Sequence, residues 1–226
     1  GSAGTNITGI TFHNTRVWVK DTYNVHIDNI TVNCESSTGF GVGSFSIRGS
    51  SQNINVTNSY FRTIHNGGHS NVVVAGASNC LFENNTVFAD AREGNVGNVF
   101  YLTTYGGGTN TNITIRNNTI RSVFPNSQGL AICMGLVLEG NGHLIENNRI
   151  DALAAVGPQW ADADYGVRTD IGNVTFRNNH VTGGAKLIFT GRFYNNTIDG
   201  ATFTDNIAYN NTIEKDAIIL NNTITS

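Results

Sequence analysis

The chain of 226 residues carries little charge. Asp, Glu, Lys and Arg make up 13% of it, whereas an average globular protein has roughly 25%. The formal net charge is −3, and Lys and Arg form no cluster. A surface without a basic patch has no strong electrostatic attraction for nucleic acid or for an anionic membrane. We therefore expect neither as a partner.

Long apolar runs and helical periodicity are missing as well. No stretch approaches the ~18 apolar residues of a membrane span, so we expect no membrane insertion of this segment. Apolar residues alternate with polar ones, which is typical of β-strands. Two Pro against 26 Gly indicate an ordered chain with many tight turns rather than Pro-rich disorder.

Cysteine is scarce and shows no metal-binding or redox spacing. The number of cysteines is odd, and no CxxC motif is present. The three residues are Cys34, Cys80 and Cys133, and each lies among apolar or repeat residues. We expect small buried core residues, with a single disulfide as the alternative.

What the sequence has instead is a recurring pair of Asn. In residues 112–120, alternating apolar residues lead into Asn117-Asn118-Thr119-Ile120. Recurrence along a chain is the signature of a solenoid. Related pairs begin at Asn84, Asn147, Asn178, Asn195, Asn210 and Asn221, and Gly9, Asn29 and Asn58 occupy the matching position in less regular copies.

The repeat predicts one all-β domain over residues 1–226: a single-stranded right-handed parallel β-helix with Asn-rich turns and inserted loops. Asn tolerates the left-handed conformation that such turns require, and stacked Asn amides can hydrogen-bond between coils. Apolar residues at period two predict two inward-facing stacks. These are Ile27, Val56, Phe82, Ile115, Ile145 and Phe176 in one, and Val32, Phe61, Val87, Ile120, Ile150 and Val181 in the other.

The intervals between the pairs are uneven. A minimal coil needs about twenty residues, yet the last pairs are 17, 15 and 11 residues apart. Either the C-terminal coils taper or their Asn pairs lie on more than one face. The longer intervals predict inserted loops, and loops on a rigid solenoid usually carry the binding function. We place them at 34–52, 62–78, 88–111, 121–142 and 151–172.

Aromatic and His residues in these loops are candidate ligand-binding residues: Tyr101, Tyr105, His65 and His69. The two His residues lie four apart on a Gly-rich turn rather than on a helix. They can share a metal ion only if another loop supplies a third ligand.

The densest chemical cluster lies in the loop at 151–172. Its carboxylates can cap turns and pair with Arg168, while Trp160 covers the core. Alternatively, Asp162, Asp164 and Asp170 supply the oxygen ligands that Ca²⁺ prefers, or act as acid and base on a sugar stacked on Trp160. The candidate ligand-binding residues of this loop are Trp160, Asp162, Asp164, Tyr165 and Arg168. No cofactor other than Ca²⁺ is suggested.

Many of the Asn residues also begin an N-x-S/T sequon, which in a secreted protein marks a glycosylation site. The repeat itself generates most of them, so we assign the paired Asn a structural role in the turn. Asn6 is not part of an Asn pair, so the structural explanation applies less to it and its glycosylation stays an open question. The ten sequons begin at Asn6, Asn29, Asn55, Asn84, Asn112, Asn117, Asn173, Asn195, Asn210 and Asn221.

Longer phrases between the pairs carry a resemblance to a known family. They are residues 46–48, 66–70, 94–105, 131–133, 144–148 and 157–160, of which 94–105 is the most distinctive. In these phrases the chain resembles the adhesin-like cell-surface proteins of methanogenic archaea, which carry Asn-rich parallel β-helix repeats of the pectin-lyase-like superfamily. The resemblance implies an extracellular protein of the cell surface or cell wall, and we expect the chain to be part of a longer one.

The sequence thus predicts an adhesin domain whose loops bind a glycan or a surface protein of another cell. Two alternatives stay open. One is a polysaccharide lyase or glycoside hydrolase that acts on a cell-wall or plant polysaccharide through Asp162, Asp164 or Asp170. Sequence signatures of pectin hydrolases, namely Asn-Thr-Asp, Asp-Asp and Gly-His-Gly, are absent. The other alternative is a structural stalk without a ligand.

Overall fold

The structure is a computed structural model. It describes residues 4–36, 43–65, 70–91, 97–104, 108–123, 133–152, 167–169, 173–182, 185–188, 191–198, 201–204, 207–209, 211–213, 217–220 and 223–224. All regular secondary structure in these ranges is β-strand. In the described part of the chain no helix has the length and apolarity that a membrane span requires.

The first fourteen strands are β1 Thr5–Thr8, β2 Thr11–His13, β3 Val17–Lys20, β4 Tyr23–Asp28, β5 Thr31–Ser36, β6 Phe45–Arg48, β7 Gln52–Thr57, β8 Tyr60–His65, β9 Val72–Ala75, β10 Leu81–Glu83, β11 Thr86–Ala91, β12 Gly97–Thr103, β13 Thr114–Arg116 and β14 Thr119–Val123. The following fourteen are β15 Cys133–Leu138, β16 His143–Glu146, β17 Arg149–Ala152, β18 Val167–Thr169, β19 Val174–Arg177, β20 His180–Thr182, β21 Ala185–Ile188, β22 Gly191–Tyr194, β23 Thr197–Ile198, β24 Ala201–Thr204, β25 Ile207–Tyr209, β26 Thr212–Ile213, β27 Ala217–Leu220 and β28 Thr223–Ile224.

Each strand pairs in parallel with the strand three places further along the chain. Sheet A has ten strands in the order β1-β4-β7-β10-β13-β16-β19-β22-β25-β28. Sheet B has nine, from β2 to β26, and sheet C has nine, from β3 to β27. The chain therefore visits sheets A, B and C in turn and then begins the next coil. This all-β, repeating arrangement is compatible with the predicted β-solenoid.

Both predicted apolar stacks are confirmed by the strand register. On sheet A, Ile27 is the register partner of Val56, and the partners continue without interruption to Phe176. On sheet B, the second stack runs from Val32 to Val181 in the same way. All twelve side chains are buried. Because the stacked residues are apolar in every coil, the core is continuous along the sheets.

Cys34 and Cys80 are free and buried in this interior, as expected for core residues. Burial raises the pKa of the Cys80 thiol to about 11. The side chain of Cys133 lies outside the described residues.

The C-terminal coils are short, and they keep the same three sheets. Ala185, Ala201 and Ala217 are successive register partners on sheet C, so each of these coils takes only 16 residues. The Asn pairs as far as Asn211 stay on one face, because the amide of Asn196 hydrogen-bonds to that of Asn211. The last pair, at 221–222, comes between β27 of sheet C and β28 of sheet A, so it belongs to a different corner. Both explanations for the uneven spacing therefore hold: the coils become shorter, and the last pair lies on another face. The expected minimum of twenty residues is wrong, since these coils need only three short strands.

The predicted loops are wrong in extent, because each of the five contains a strand of sheet C. These strands are β6, β9, β12, β15 and β18. These strands have few charges and few turn residues, so their sequence does not differ clearly from the sequence around them. An interval between two Asn pairs therefore resembles one long insertion. The longest remaining connection, residues 153–166, leads from sheet B to sheet C and lies outside the described residues.

The Asn pairs before residue 221 form the turn between sheets A and B, which we call the A–B corner. In the five pairs that begin from Asn84 to Asn195, the first residue is exposed and left-handed, as predicted. Gly9 takes the same conformation at the matching position, with φ of 69°. The left-handed Asn residues at this corner are Asn29, Asn58, Asn84, Asn117, Asn147, Asn178 and Asn195.

The second residue of the described pairs is buried, except for the half-buried Asn211, and it hydrogen-bonds to the neighbouring coils. Asn148 accepts the backbone N–H of Asn118 at 2.9 Å and donates through Nδ2 to the carbonyl of Ile115 at 2.9 Å and to Oδ1 of Asn179 at 3.0 Å. The same pattern recurs from coil to coil, and we call it the Asn ladder. Its members are Asn85, Asn118, Asn148, Asn179, Asn196 and Asn211.

The ladder corrects one expectation about the sequons. We assigned the left-handed turn and the ladder of stacked amides to the same Asn residues, whereas the outer Asn forms the turn and the inner Asn forms the buried ladder. The outer amide also bonds between coils in places, since Nδ2 of Asn84 donates to Oδ1 of Asn58 at 3.4 Å. The sequon Asn is the outer one, and the ladder Asn is the inner one. In the described part of the chain the Asn of all eight sequons is exposed. The ladder therefore gives no reason against glycosylation of these residues.

Candidate functional site

The outer face of sheet A presents two rows of side chains, since alternate residues of a strand point to opposite sides. One row, which we call the charged row, immediately precedes the left-handed residue of each A–B corner. Neighbours in a row lie on adjacent strands, about 4.8 Å apart. The charged row consists of Thr8, Asp28, Thr57, Glu83, Arg116, Glu146, Arg177 and Tyr194.

Residues of the charged row pair with one another along sheet A. Asp28 accepts hydrogen bonds from Thr57 Oγ1 and Asn58 Nδ2, both at 2.7 Å. These two bonds lower the pKa of Asp28. Further along, Nη2 of Arg116 donates to Glu83 Oε2 at 2.9 Å. From β10 to β19 acids and bases alternate, so Glu83 and Glu146 each face a guanidinium on an adjacent strand.

The other row lies two residues earlier on each strand and carries fewer charges. We call it the polar row, and its register runs from β1 to β22. It consists of Asn6, His26, Asn55, Leu81, Thr114, Leu144, Thr175 and Arg192.

A surface groove of about 410 Å³ opens between the two rows over β16, β19 and β22. We call it the sheet A groove. Both rows contribute to its walls, and the corner before each strand closes one end. The lining residues are Gly142, His143, Leu144, Asn173, Thr175, Arg177, Arg192 and Tyr194.

Arg177 is held firmly at the wall of this groove. Its Nε donates to Glu146 Oε2 at 2.8 Å, and its Nη1 donates to the hydroxyl of Tyr194 at 3.0 Å. The guanidinium carbon also lies 6.0 Å from the centre of the Tyr194 ring. The hydrogen bond to Tyr194, followed by the one to Glu146, raises the pKa of Arg177. A phenol, a guanidinium and a carboxylate thus form one connected polar unit.

Arg192 also lines this groove, but its exposure and its ion pairing differ from those of Arg177. Its side chain is exposed on β22, beside its register partner Thr175. It forms no ion pair with any described residue. Its charge therefore faces the groove and the solvent.

His143 underlies the groove and is buried. Its Nδ1 accepts the backbone N–H of Ile113 at 3.2 Å, and its Nε2 lies 3.3 Å from the carbonyl of Glu139. An N–H can only donate, so Nδ1 is the unprotonated nitrogen and Nε2 carries the hydrogen. Burial lowers the pKa of His143 to about 4. The imidazole is therefore neutral at pH 7 and adds no charge to the groove.

A second, smaller depression of about 260 Å³ lies at the other end of sheet A. Its side chains are mostly amides, and Asn53 Nδ2 donates to Asn24 Oδ1 at 3.0 Å. No guanidinium or carboxylate is among its described lining residues. They are Gly4, Asn6, Asn24, Val25, His26, Asn53 and Asn55.

The structure places three of the sequence-predicted site residues away from the sheet A groove. Tyr101 and Arg168 share one register position on sheet C, with Val137 between them, and His65 ends β8 on sheet B. The Tyr101 hydroxyl donates to Glu139 Oε1 at 3.0 Å, so an internal contact already uses it. The other predicted residues lie outside the described residues: His69, Tyr105, Trp160, Asp162, Asp164, Tyr165 and Asp170.

The groove residues Arg177, Arg192 and Tyr194, and Glu146 that pairs with Arg177, are absent from the sequence prediction. A signal for three of them exists, because each immediately precedes an Asn pair. Aligned on the pairs, this position reads Asp, Thr, Glu, Arg, Glu, Arg and Tyr from residue 28 to residue 194. Alternating charge in one column of a stacked repeat indicates ion pairs between coils. Arg192 does not precede an Asn pair, so this sequence signal does not identify it.

Metal binding has no support within the described ranges, where no three His, Cys, Asp or Glu residues come together. The proposed calcium ligands Asp162, Asp164 and Asp170 lie outside these ranges. Comparisons of the chain with protein-family models, with curated proteins and with solved structures give no match.

Proposed function

We propose that the chain is a right-handed parallel β-helix domain of an extracellular cell-surface adhesin, and that it binds a glycan through the sheet A groove. The observation that carries the proposal is the pair of Arg177 and Tyr194 on the wall of an open groove, held in place by the buried Glu146 beside it. Sugars offer hydroxyls that both donate and accept hydrogen bonds, as well as C–H faces that pack on aromatic rings. The groove supplies partners for each of these groups.

The groove is also well supported. Its residues lie on adjacent strands of one sheet, and the charged row leads directly into the A–B corner with the buried Asn ladder beneath. A site built on strands that are fixed in this way loses little conformational entropy when a ligand binds. An elongated glycan can follow the sheet, whose rows repeat at every coil.

The right-handed sense of the coil rests on chain chirality. Successive parallel strands of one sheet are joined by a crossover through the other two sheets. Crossovers between parallel strands are right-handed in about 98% of cases, because the strands themselves have a right-handed twist.

A glycan array tests the proposed function. We expect wild-type binding to fall about tenfold or more in Tyr194→Ala, because the variant loses both the ring and the hydroxyl at the groove. Tyr60→Ala is the matched control, since Tyr60 is a partly exposed tyrosine on sheet B. Thermal unfolding of each variant checks its fold. Absence of any bound glycan, or equal binding by wild type and Tyr194→Ala, would contradict the proposal.

The loop residues singled out from the sequence can be tested on the same array. If Trp160→Ala weakens binding while Tyr194→Ala does not, the ligand lies on the loop at 151–172 rather than in the groove. The enzymatic alternative predicts reducing ends or unsaturated products when polysaccharides are incubated with the protein. Products that persist after Asp162, Asp164 and Asp170 are all changed to Asn would exclude these carboxylates as the catalytic pair.

A further inference from the structure

We propose that the glycan bound in the sheet A groove is acidic and that Arg192 binds its carboxylate or sulfate group. This inference rests on the proposed function and specifies the class of ligand. It follows from the different states of the two guanidinium groups that line the groove.

Arg177 has little charge left to offer a ligand. Glu146 neutralises it through the 2.8 Å hydrogen bond at Nε, and the Tyr194 hydroxyl accepts a further bond from Nη1 at 3.0 Å. A ligand that competed for this guanidinium would leave the carboxylate of Glu146 without its partner. Arg177 therefore acts on a ligand by orienting Tyr194 rather than by supplying a free positive charge.

Arg192 is in the opposite state. It is exposed on β22 and has no ion pair with a described residue. No carboxylate is among the lining residues of the groove, and His143 is neutral because of its burial. Among the described residues, nothing compensates the positive charge of Arg192 at the groove, and the chain as a whole has a net charge of −3. An anionic ligand is attracted to such a position.

The shape of the groove fits an acidic sugar better than a free small anion. A guanidinium group presents parallel N–H donors that match the two oxygens of a carboxylate or sulfate. Thr175 is the register partner of Arg192, and Asn173 and Tyr194 also line the groove. These groups give the hydroxyls of the same sugar ring their partners, so one residue of an acidic glycan can occupy the groove.

The test is an array that contains the same glycan backbones in neutral, carboxylated and sulfated forms. We expect binding to the acidic forms and a loss of about tenfold or more in Arg192→Gln. Arg192→Lys keeps the charge and should recover part of the binding. Arg121→Gln is the matched control, because it removes an exposed arginine from sheet B. Added salt should weaken wild-type binding more than that of Arg192→Gln, since salt screens exposed charges.

The outcomes separate the inference from the function on which it rests. Equal binding to neutral and acidic forms, or unchanged binding in Arg192→Gln, overturns the inference and leaves the proposed function standing. Binding to no glycan overturns both. If the acidic forms are preferred, comparison of the carboxylated with the sulfated series shows which group Arg192 binds.

Discussion

Two corners of the coil turn in the same way and are filled differently. At the A–B corner a left-handed Asn is followed by a buried ladder Asn in five successive coils, from Asn85 to Asn196. The corner between sheets C and A, which we call the C–A corner, also has left-handed residues, namely Asn24, Asn53, Asn79, Asn112 and Gly142. The buried residues that follow them are Val25, Ile54, Cys80, Ile113 and His143.

The difference shows that a turn conformation does not determine the residue behind it. A buried amide is stable only when its donors and acceptors all find partners. Along the Asn ladder, the amides and backbone groups of neighbouring coils supply these partners, so each inner Asn depends on the coils on either side of it. The two coils before the ladder have Ile30 and Ser59 at this position, and both are buried. At the C–A corner an apolar side chain needs only space.

His143 is the exception that links the two corners. It lies at the C–A corner, yet its Nδ1 accepts the backbone N–H of Ile113 from the preceding coil at 3.2 Å. In the Asn ladder, Oδ1 of Asn148 accepts the N–H of Asn118 in the same way. His143 therefore performs one function of a ladder Asn, and it does so with a group that titrates.

The largest expected effect comes from removing one member of the ladder. Asn148→Ala leaves the N–H of Asn118 and the carbonyl of Ile115 buried without these partners. We expect the free energy of unfolding to fall by about 4 kcal/mol, roughly 2 for each orphaned group. Chemical denaturation of wild type and variant measures it. A loss below ~1 kcal/mol would show that the ladder is not cooperative.

The second effect is a pH dependence that His143 confers on the C–A corner. The unfolded chain binds a proton near pH 6.5, whereas the folded protein does so only near pH 4. Stability is therefore full above the unfolded pKa and falls as the pH drops towards 4, by about 3 kcal/mol in all. Denaturation from pH 7.5 to pH 4 measures this loss.

His143→Asn is the control for that experiment, because Asn still accepts a hydrogen bond but does not titrate. The acidic loss of stability should shrink by the His143 contribution in this variant. An identical pH profile in wild type and His143→Asn would assign the dependence to the carboxylates instead.

A smaller effect should appear at the left-handed residues of both corners. Asn147→Ala and Asn53→Ala place an ordinary side chain in a left-handed conformation, at φ of 56° and 54°. We expect each to cost about 1 kcal/mol, and the corresponding Gly variants to cost much less. Thermal unfolding of the four variants compares the corners. A clear difference between the two Ala variants would mean that the turns are not equivalent.

The smallest expected effect lies in the charged row outside the A–B corner. Glu83→Gln removes the partner of Arg116, whose side chain is 39% exposed. Such a pair contributes about 0.5 kcal/mol at low ionic strength. The difference between wild type and variant should vanish in 1 M salt, where the screening length is about 3 Å. A difference that persists in high salt would indicate a packing effect instead.

Most of the regular part of the molecule was predictable. The Asn pairs indicated the repeat, the left-handed turn and the two apolar stacks, because each depends on residues within a few positions of one another. The strands of sheet C escaped prediction, since Val72–Ala75 and Cys133–Leu138 lie between Asn pairs without a repeating mark. The sheet A groove was missed for a different reason. Its residues come from three separate segments of the chain, and only the register of β16, β19 and β22 brings these segments together.

The sequence by itself determined the all-β class, the repeat and the inward-facing residues. The local backbone conformation and the alternation of buried and exposed residues depend on positions that are close together in the chain. It did not determine which Asn of each pair would be buried, since both are equally polar and only the stacked neighbours can satisfy an inner amide. Nor did it decide that, within the described part of the chain, Arg177 would form an ion pair and Arg192 would not. That difference depends on Glu146, which lies on the strand next to that of Arg177. The two residues become neighbours only when the coils stack.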